Sequence, residues 1–113
     1  MIMTIQREGR ELSPVVLLQQ IGGMNILAIS GGRKSVIFHT DSEGETYPIG
    51  VALPVGQGRS VEVTLDWDDT YKVRRVRKIV SGRLKGSEIV EAELTSVYCD
   101  EVGEVAYQHS CWK

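Results

Sequence analysis

The sequence has few of the residues that assign a protein to a class by themselves. Its two cysteines, Cys99 and Cys111, cannot form a framework of disulfides, so we expect a reducing compartment. Aromatic residues make up 6% and the net charge is −2, so no overall field draws the chain to nucleic acid. No apolar run approaches the roughly 20 residues that span a bilayer, and residues 1–11 lack the apolar core of a signal peptide. We therefore expect a cytoplasmic protein that does not enter membranes.

The chain has enough apolar residues for one self-sufficient domain. With 113 residues, 42% of them apolar, it needs neither disulfide nor metal to fold. Residues 1–12 hold few apolar side chains and are predicted as a flexible or edge-strand N-terminus, whereas 13–113 form the domain. Ser13-Pro14 is a favoured helix start, and Gly22 is a favoured helix end. The sequence therefore predicts a helix over 14–21.

The next stretch determines the predicted arrangement of the sheet. Residues 25–30 (NILAIS) are apolar on both faces, which predicts an inner strand covered on both sides, on one side by a partner subunit. Gly31-Gly32 predicts a tight hairpin turn that leads into a second strand over 35–39. The doubly covered strand and the unpaired edges of the sheet together predict a homodimer.

The rest of the chain reads as further strands and a final helix. Strands are predicted over 47–53, 60–67, 71–80 and 88–97, the third with a bulge near Arg74-Arg75. Alternation turns two sets of side chains to the core: Val61, Val63, Leu65 and Trp67, and then Val90, Ala92 and Leu94. A helix is predicted over 100–109, with one face formed by Val102, Val105, Ala106 and His109. The predicted fold class is α+β: an antiparallel sheet of five or six strands with an N-terminal and a C-terminal helix packed on one face.

The sequence Gly-Gly-Arg-Lys-Ser at 31–35 suggests a phosphate-binding loop. The P-loop pattern requires a glycine directly before Lys-Ser, another five residues earlier, and a helix afterwards. Here Arg33 precedes Lys34, position 28 is alanine, and a strand is predicted to follow. We reject the P-loop and predict a hairpin with a cationic tip, at which Arg33 and Lys34 contact a partner or a phosphate group.

A basic cluster in the second half of the chain raises the alternative of nucleic-acid binding. Its seven cations are Lys72, Arg74, Arg75, Arg77, Lys78, Arg83 and Lys85. Such a strand and hairpin could follow a nucleic-acid backbone. The competing interpretation is that Glu88, Glu91 and Glu93 pair with these cations across the hairpin. Exposed aromatic side chains, on which single-strand binders stack bases, are scarce nearby.

The residues suited to metal binding or catalysis lack a diagnostic spacing. Three sets have suitable side chains: Asp41, Glu43 and Glu45; Asp66, Asp68 and Asp69; and Cys99, His109 and Cys111. We interpret the acidic sets as solvated turns, Cys99 as buried and Cys111 as a free thiol. Neither cysteine has an identifiable base and orienting group for nucleophilic catalysis, and His39 is interpreted as a rim residue at the end of a strand. The sequence therefore predicts no catalytic residue, no metal and no cofactor.

The run GGMNILAISGGRKSV resembles a pattern in small uncharacterised proteins of bacteriophages and mobile elements. In those proteins a helix-ending Gly-Gly leads to a strand and then to a turn like Met-Thr-Gly-Ala-Lys-Asn. The matching positions here are Gly22, Gly23, Ile29, Ser30, Gly31, Gly32 and Arg33, followed by 63–65, 69–73 and 97–100. Ser30, Gly32, Arg33 and Lys34 depart from the turn residues of the pattern. The resemblance implies a phage or prophage origin and a location inside the bacterial host cell, without an activity.

These observations lead to one expected function and one alternative. We expect a small phage-encoded accessory protein that is not an enzyme and that acts by binding a host protein. The alternative is an accessory protein that binds nucleic acid through the basic strand and hairpin.

Overall fold

The computed structural model describes residues 6–7, 10–11, 13–66 and 70–111. They form, in chain order, β1 (Gln6–Arg7), β2 (Arg10–Glu11), α1 (Pro14–Ile21), α2 (Gly23–Ser30), β3 (Ser35–Thr40), β4 (Thr46–Gly56), β5 (Arg59–Leu65), β6 (Tyr71–Lys78), β7 (Glu88–Val97) and α3 (Val102–Ser110). One five-stranded antiparallel sheet has the order β3-β4-β5-β6-β7, and β1 pairs with β2 separately. The predicted α+β class with an antiparallel sheet is confirmed.

Two short helices replace the predicted helix and inner strand. The Oγ of Ser13 accepts from the N–H of Val16, Pro14 stands in the first turn of α1, and Gly22 ends that helix at φ 96°, as predicted. The strand predicted over 25–30 is wrong, because this stretch belongs to α2. The hairpin turn at Gly31-Gly32 is also wrong: Gly31, at φ 67°, is the left-handed cap of α2, and its N–H donates to the Leu27 carbonyl.

The sheet is a meander in which each strand pairs with the next one in sequence. Val51 stands opposite Val63, and Val63 stands opposite Val73. The bulge predicted for the basic strand near Arg74-Arg75 is wrong: β6 pairs regularly with β5, and at the shift of register between Arg75 and Val76 the extra residue belongs to β7. β4 runs on to Gly56, three residues beyond the predicted end of this strand, and the turn that follows is confined to residues 57–58. The predicted Trp67 core position and the Asp68-Asp69 turn lie outside the described residues.

The core lies between the helices and one face of the sheet. We call this the covered face; its fully buried side chains include Val51, Leu53, Val61, Val63 and Val73. Leu17 and Ile21 of α1 join this cluster, together with Ile26 and Ile29 of α2 and Val102 and Ala106 of α3. The opposite face, which we call the open face, carries half-buried polar residues such as Glu62, Thr64, Lys72 and Arg74. The predicted core face of the last helix is confirmed by Val102 and Ala106.

The last helix approaches the first two through a glycine. A Cβ at Gly103 would lie within contact distance of the Ile21 carbonyl oxygen and 2.7 Å from Nδ2 of Asn25. The same Asn25 amide donates to the Ile21 carbonyl at 2.8 Å. Gly103, which weakens α3 by propensity, therefore permits the close contact between α3 and the junction of α1 and α2.

β7 departs from its predicted burial. Val90 and Leu94, predicted to face the core, are each 47% exposed. The reason is that β7 lies at the edge of the sheet. Among the strands, α3 packs mainly on β5 and β6, so it leaves the side chains of β7 largely uncovered. An extra residue in β7 at the bulge also interrupts the alternation on which the prediction depended. None of the helices in the described part of the chain has the length and apolar character to span a membrane.

Candidate interaction surfaces

The solvent side of the helical pair is apolar. On α2, Met24 is 81% exposed and Leu27 is 59% exposed; on α1, Val15 and Val16 are also exposed. No charged residue occurs between Leu12 and Gly32. A helix that is apolar all round is normally buried, and large exposed apolar patches mark sites of interaction. The missing charges over this whole stretch were the signal in the sequence that could have identified the surface.

The predicted cationic residues Arg33 and Lys34 lie in the loop between α2 and β3, not at a hairpin tip. Both side chains are exposed. The Arg33 Nε donates to the carbonyl of Ser30 at 3.3 Å, and the Lys34 Nζ donates to that of Gly32 at 3.5 Å. These contacts tie both side chains to the end of α2 and leave their charges at the surface beside the first residue of β3.

The basic cluster is divided between the two faces of the sheet. Lys72, Arg74 and Lys78 belong to the open face, whereas Arg75 and Arg77 belong to the covered face. Arg74 pairs with Glu62 at 2.7 Å. Within the described residues, no ion pair joins Lys72, Lys78, Arg83 or Lys85 to a carboxylate. The seven cations therefore do not form one continuous surface.

Glu91 forms ion pairs with three arginines at one end of the covered face. Its carboxylate lies 2.8 Å from Arg59 Nε, 3.0 Å from Arg75 Nε and 3.2 Å from Arg77 Nε. The hydrogen bond from Arg59 is the main cause that lowers the pKa of Glu91; desolvation opposes it, and the hydrogen bond from Arg75 adds to it. Arg75 also donates to the carbonyl of His109, which joins β6 to the C-terminal end of α3. The predicted cross-strand pairing is confirmed for Glu91, and we interpret this cluster as structural.

Glu88 and Glu93 stand opposite Lys78 and Arg74 in the strand register. Among the described residues, however, neither carboxylate lies within 4 Å of a cation. A groove of about 300 Å³ crosses this end of the open face. Its lining includes Arg33, Lys78, Glu62, Glu88, Ser60 and Val76. Because the groove carries both signs of charge, it indicates no single class of charged ligand.

The candidate metal ligands that the structure describes do not lie together. No cluster of three or more histidine, cysteine or acidic residues suited to a metal occurs in the described ranges. Cys99 is exposed, so its predicted burial is wrong, because it lies in the turn between β7 and α3. Cys111 is a free thiol, as predicted, and the exposed His39 lies beside the Tyr47 ring. Oδ1 of Asp41 accepts from the N–H groups of Glu43 and Glu45, which confirms the solvated acidic turn.

Comparison with models of protein families, with curated proteins and with solved structures found no match for this chain.

Proposed function

We propose that this chain is a non-catalytic binding protein whose partner packs on the apolar surface of α1 and α2. The observation that carries the proposal is the solvent side of α2, where Met24 and Leu27 stand exposed on a helix without a charged residue. Burying a leucine or methionine side chain is worth about 1.5–3 kcal/mol, which an exposed position forgoes. A partner that covers α2 would recover this free energy.

The chemistry of the surface indicates what kind of partner fits. A helix that lies on an anionic bilayer carries lysine or arginine beside its apolar face, and neither occurs in α1 or α2. The polar residues of the pair are Gln19, Gln20, Asn25 and Ser30, all of them neutral. A protein surface with an apolar centre and few charges is the complementary partner. The resemblance to small bacteriophage proteins supports a bacterial host protein in this role.

A capture experiment with matched variants tests the proposal. Leu27→Glu places a charge within the apolar surface, and Leu84→Glu makes the same change at an equally exposed leucine in the loop between β6 and β7. We expect a host protein to be retained from lysate by the wild type and by Leu84→Glu, and to be lost with Leu27→Glu. With the purified partner, Leu27→Glu should weaken binding by about 2 kcal/mol, or roughly 30-fold, in calorimetric titration.

Two outcomes would contradict the proposal. One is the same set of retained proteins for all three chains at equal thermal stability. The other is sedimentation of the wild type with phosphatidylglycerol vesicles that Leu27→Glu abolishes, because the surface would then bind lipid.

Nucleic-acid binding is the second candidate, and the observation that favours it is a set of cations that form no ion pair with any carboxylate the structure describes. Lys72 and Lys78 lie on the open face, and Arg83 and Lys85 lie in the exposed loop between β6 and β7. This candidate predicts a gel shift that weakens steeply with salt and that Arg83→Ala with Lys85→Ala reduces. A missing shift at low salt would refute it.

A further inference from the structure

The two edges of the sheet differ in how well they are protected against pairing with a further strand. β3 and β7 are the outer strands of the order β3-β4-β5-β6-β7. Strand edges attract further strands unless charges, prolines or bulges block them. The six residues of β3, SVIFHT, include no proline and no lysine, arginine, aspartate or glutamate. Within β3, Phe38 is 60% exposed and Val36 is 36% exposed.

β7 carries the protections that β3 lacks. Glu88, Glu91 and Glu93 stand along it, the bulge at Arg75 and Val76 adds an extra residue, and Ser96 has a φ of 60°. The bulge and the left-handed backbone at Ser96 interrupt the regular row of N–H and C=O groups that a second copy of β7 would need. The open edge for a second strand is therefore β3.

Charges at the two ends of β3 indicate what that second strand is. Arg33 and Lys34 precede the strand, and the acidic turn with Asp41, Glu43 and Glu45 follows it. When two copies of one strand pair antiparallel, the start of each meets the end of the other. The cations of one copy then meet the carboxylates of the other, and the two-fold axis repeats this contact. A parallel arrangement would instead place like charges side by side.

We propose that a second copy of this chain joins here, β3 to β3, antiparallel about Ile37. This register places Val36 opposite Phe38 on one face, a favourable aromatic and β-branched pair, and brings Arg33 to Asp41. The bulge in this part of the sheet belongs to β4, so β3 remains a regular strand. The interface gives Arg33 and Lys34 their role as partner contacts, and it is separate from the proposed partner surface on α1 and α2.

Sedimentation equilibrium over a range of concentrations tests the dimer. We expect the mass of two chains at high concentration and a dissociation constant that rises with salt, because surface charges are screened. Phe38→Lys should raise the dissociation constant at least tenfold. The matched control is Leu84→Lys, which alters an equally exposed apolar residue in the loop between β6 and β7 and should leave the constant unchanged.

A charge exchange tests the orientation. Arg33→Glu with Lys34→Glu should weaken the dimer, and adding Glu43→Lys with Glu45→Lys in the same chain should restore it. Asp41 is left intact because it supports the backbone of its own turn. The mass of a single chain up to about 1 mM, or a dimer that survives Phe38→Lys, would overturn the inference. A dimer lost with Leu27→Glu and retained with Phe38→Lys would overturn it too, and would assign α2 to a second copy.

Discussion

Replacing Gly103 with alanine tests the close approach of the last helix to the first two. An alanine normally strengthens a helix by about 1 kcal/mol relative to glycine. Here its Cβ would lie 2.7 Å from Asn25 Nδ2, about 0.8 Å inside the ~3.5 Å at which heavy atoms attract, and it would also meet the Ile21 carbonyl oxygen. To relieve this steric overlap, α3 would have to move away from its fully buried neighbours. Overpacking costs about 1–3 kcal/mol, and the clash with a backbone oxygen favours the upper end of that range, so after the gain in helix propensity we expect a net loss of about 2 kcal/mol.

The same substitution at Gly23 provides the control, because a Cβ there meets nothing within 4 Å. Gly23→Ala stands in the first turn of α2 and should stabilise the protein by about 0.5 kcal/mol. Urea denaturation followed by circular dichroism measures both variants. A Gly103→Ala variant as stable as the wild type would refute the close packing of α3 on the junction of α1 and α2.

Three further perturbations test the core, a helix cap and the charge cluster. Leu53→Ala, at a fully buried position, should lower the free energy of unfolding in urea by about 3 kcal/mol, whereas Leu84→Ala, at an exposed position, should change it by less than about 0.5 kcal/mol. Ser13→Ala removes the acceptor for the Val16 N–H and should cost about 0.5–1 kcal/mol in the same assay; no loss would mean that solvent replaces the cap. Because the pKa of Glu91 is lowered by folding, the stability that its charge contributes is complete above the ordinary carboxyl value of 4.5 and is lost as pH falls through the lower folded value. Glu91→Gln should therefore be less stable than the wild type near neutral pH and lose less stability on acidification. Glu88→Gln, in which the changed side chain is exposed, should keep the wild-type profile in denaturation at a series of pH values.

Much of the fold could be predicted where one local signal was strong. Ser13-Pro14 and Gly22 bound α1 because cap chemistry acts on adjacent residues. Strict alternation identified β5, because the helices cover one face of this strand and its other face is only half-buried. The strand predicted over 25–30 was wrong because a short apolar run fits a buried helix as well as a buried strand. Ile26 and Ile29, three residues apart and both buried, show that the helical period was present in the sequence.

The surfaces were harder to predict than the elements. Exposure of Val90 and Leu94 depends on β7 being an edge strand, and strand order is a property of the whole chain. Glu91 was expected to pair with the basic strand, but Arg59 comes from β5 and joins it only through the registers of three strands. Residues 25–30 were expected to be buried on both sides because the stretch is apolar on both faces. The helix that formed instead has one buried side and one exposed side.

The order of the strands bears on how the chain is made. Each strand of the sheet pairs with its immediate successor, so these contacts are local and can form early during synthesis. The core is complete only when Val102 and Ala106 of α3 pack against α1 and α2, which lie far from α3 in the sequence. Until that segment leaves the ribosome, Leu17 and Ile21 lack part of their cover. The nascent chain therefore passes through a period in which it exposes apolar surface and is most prone to aggregation.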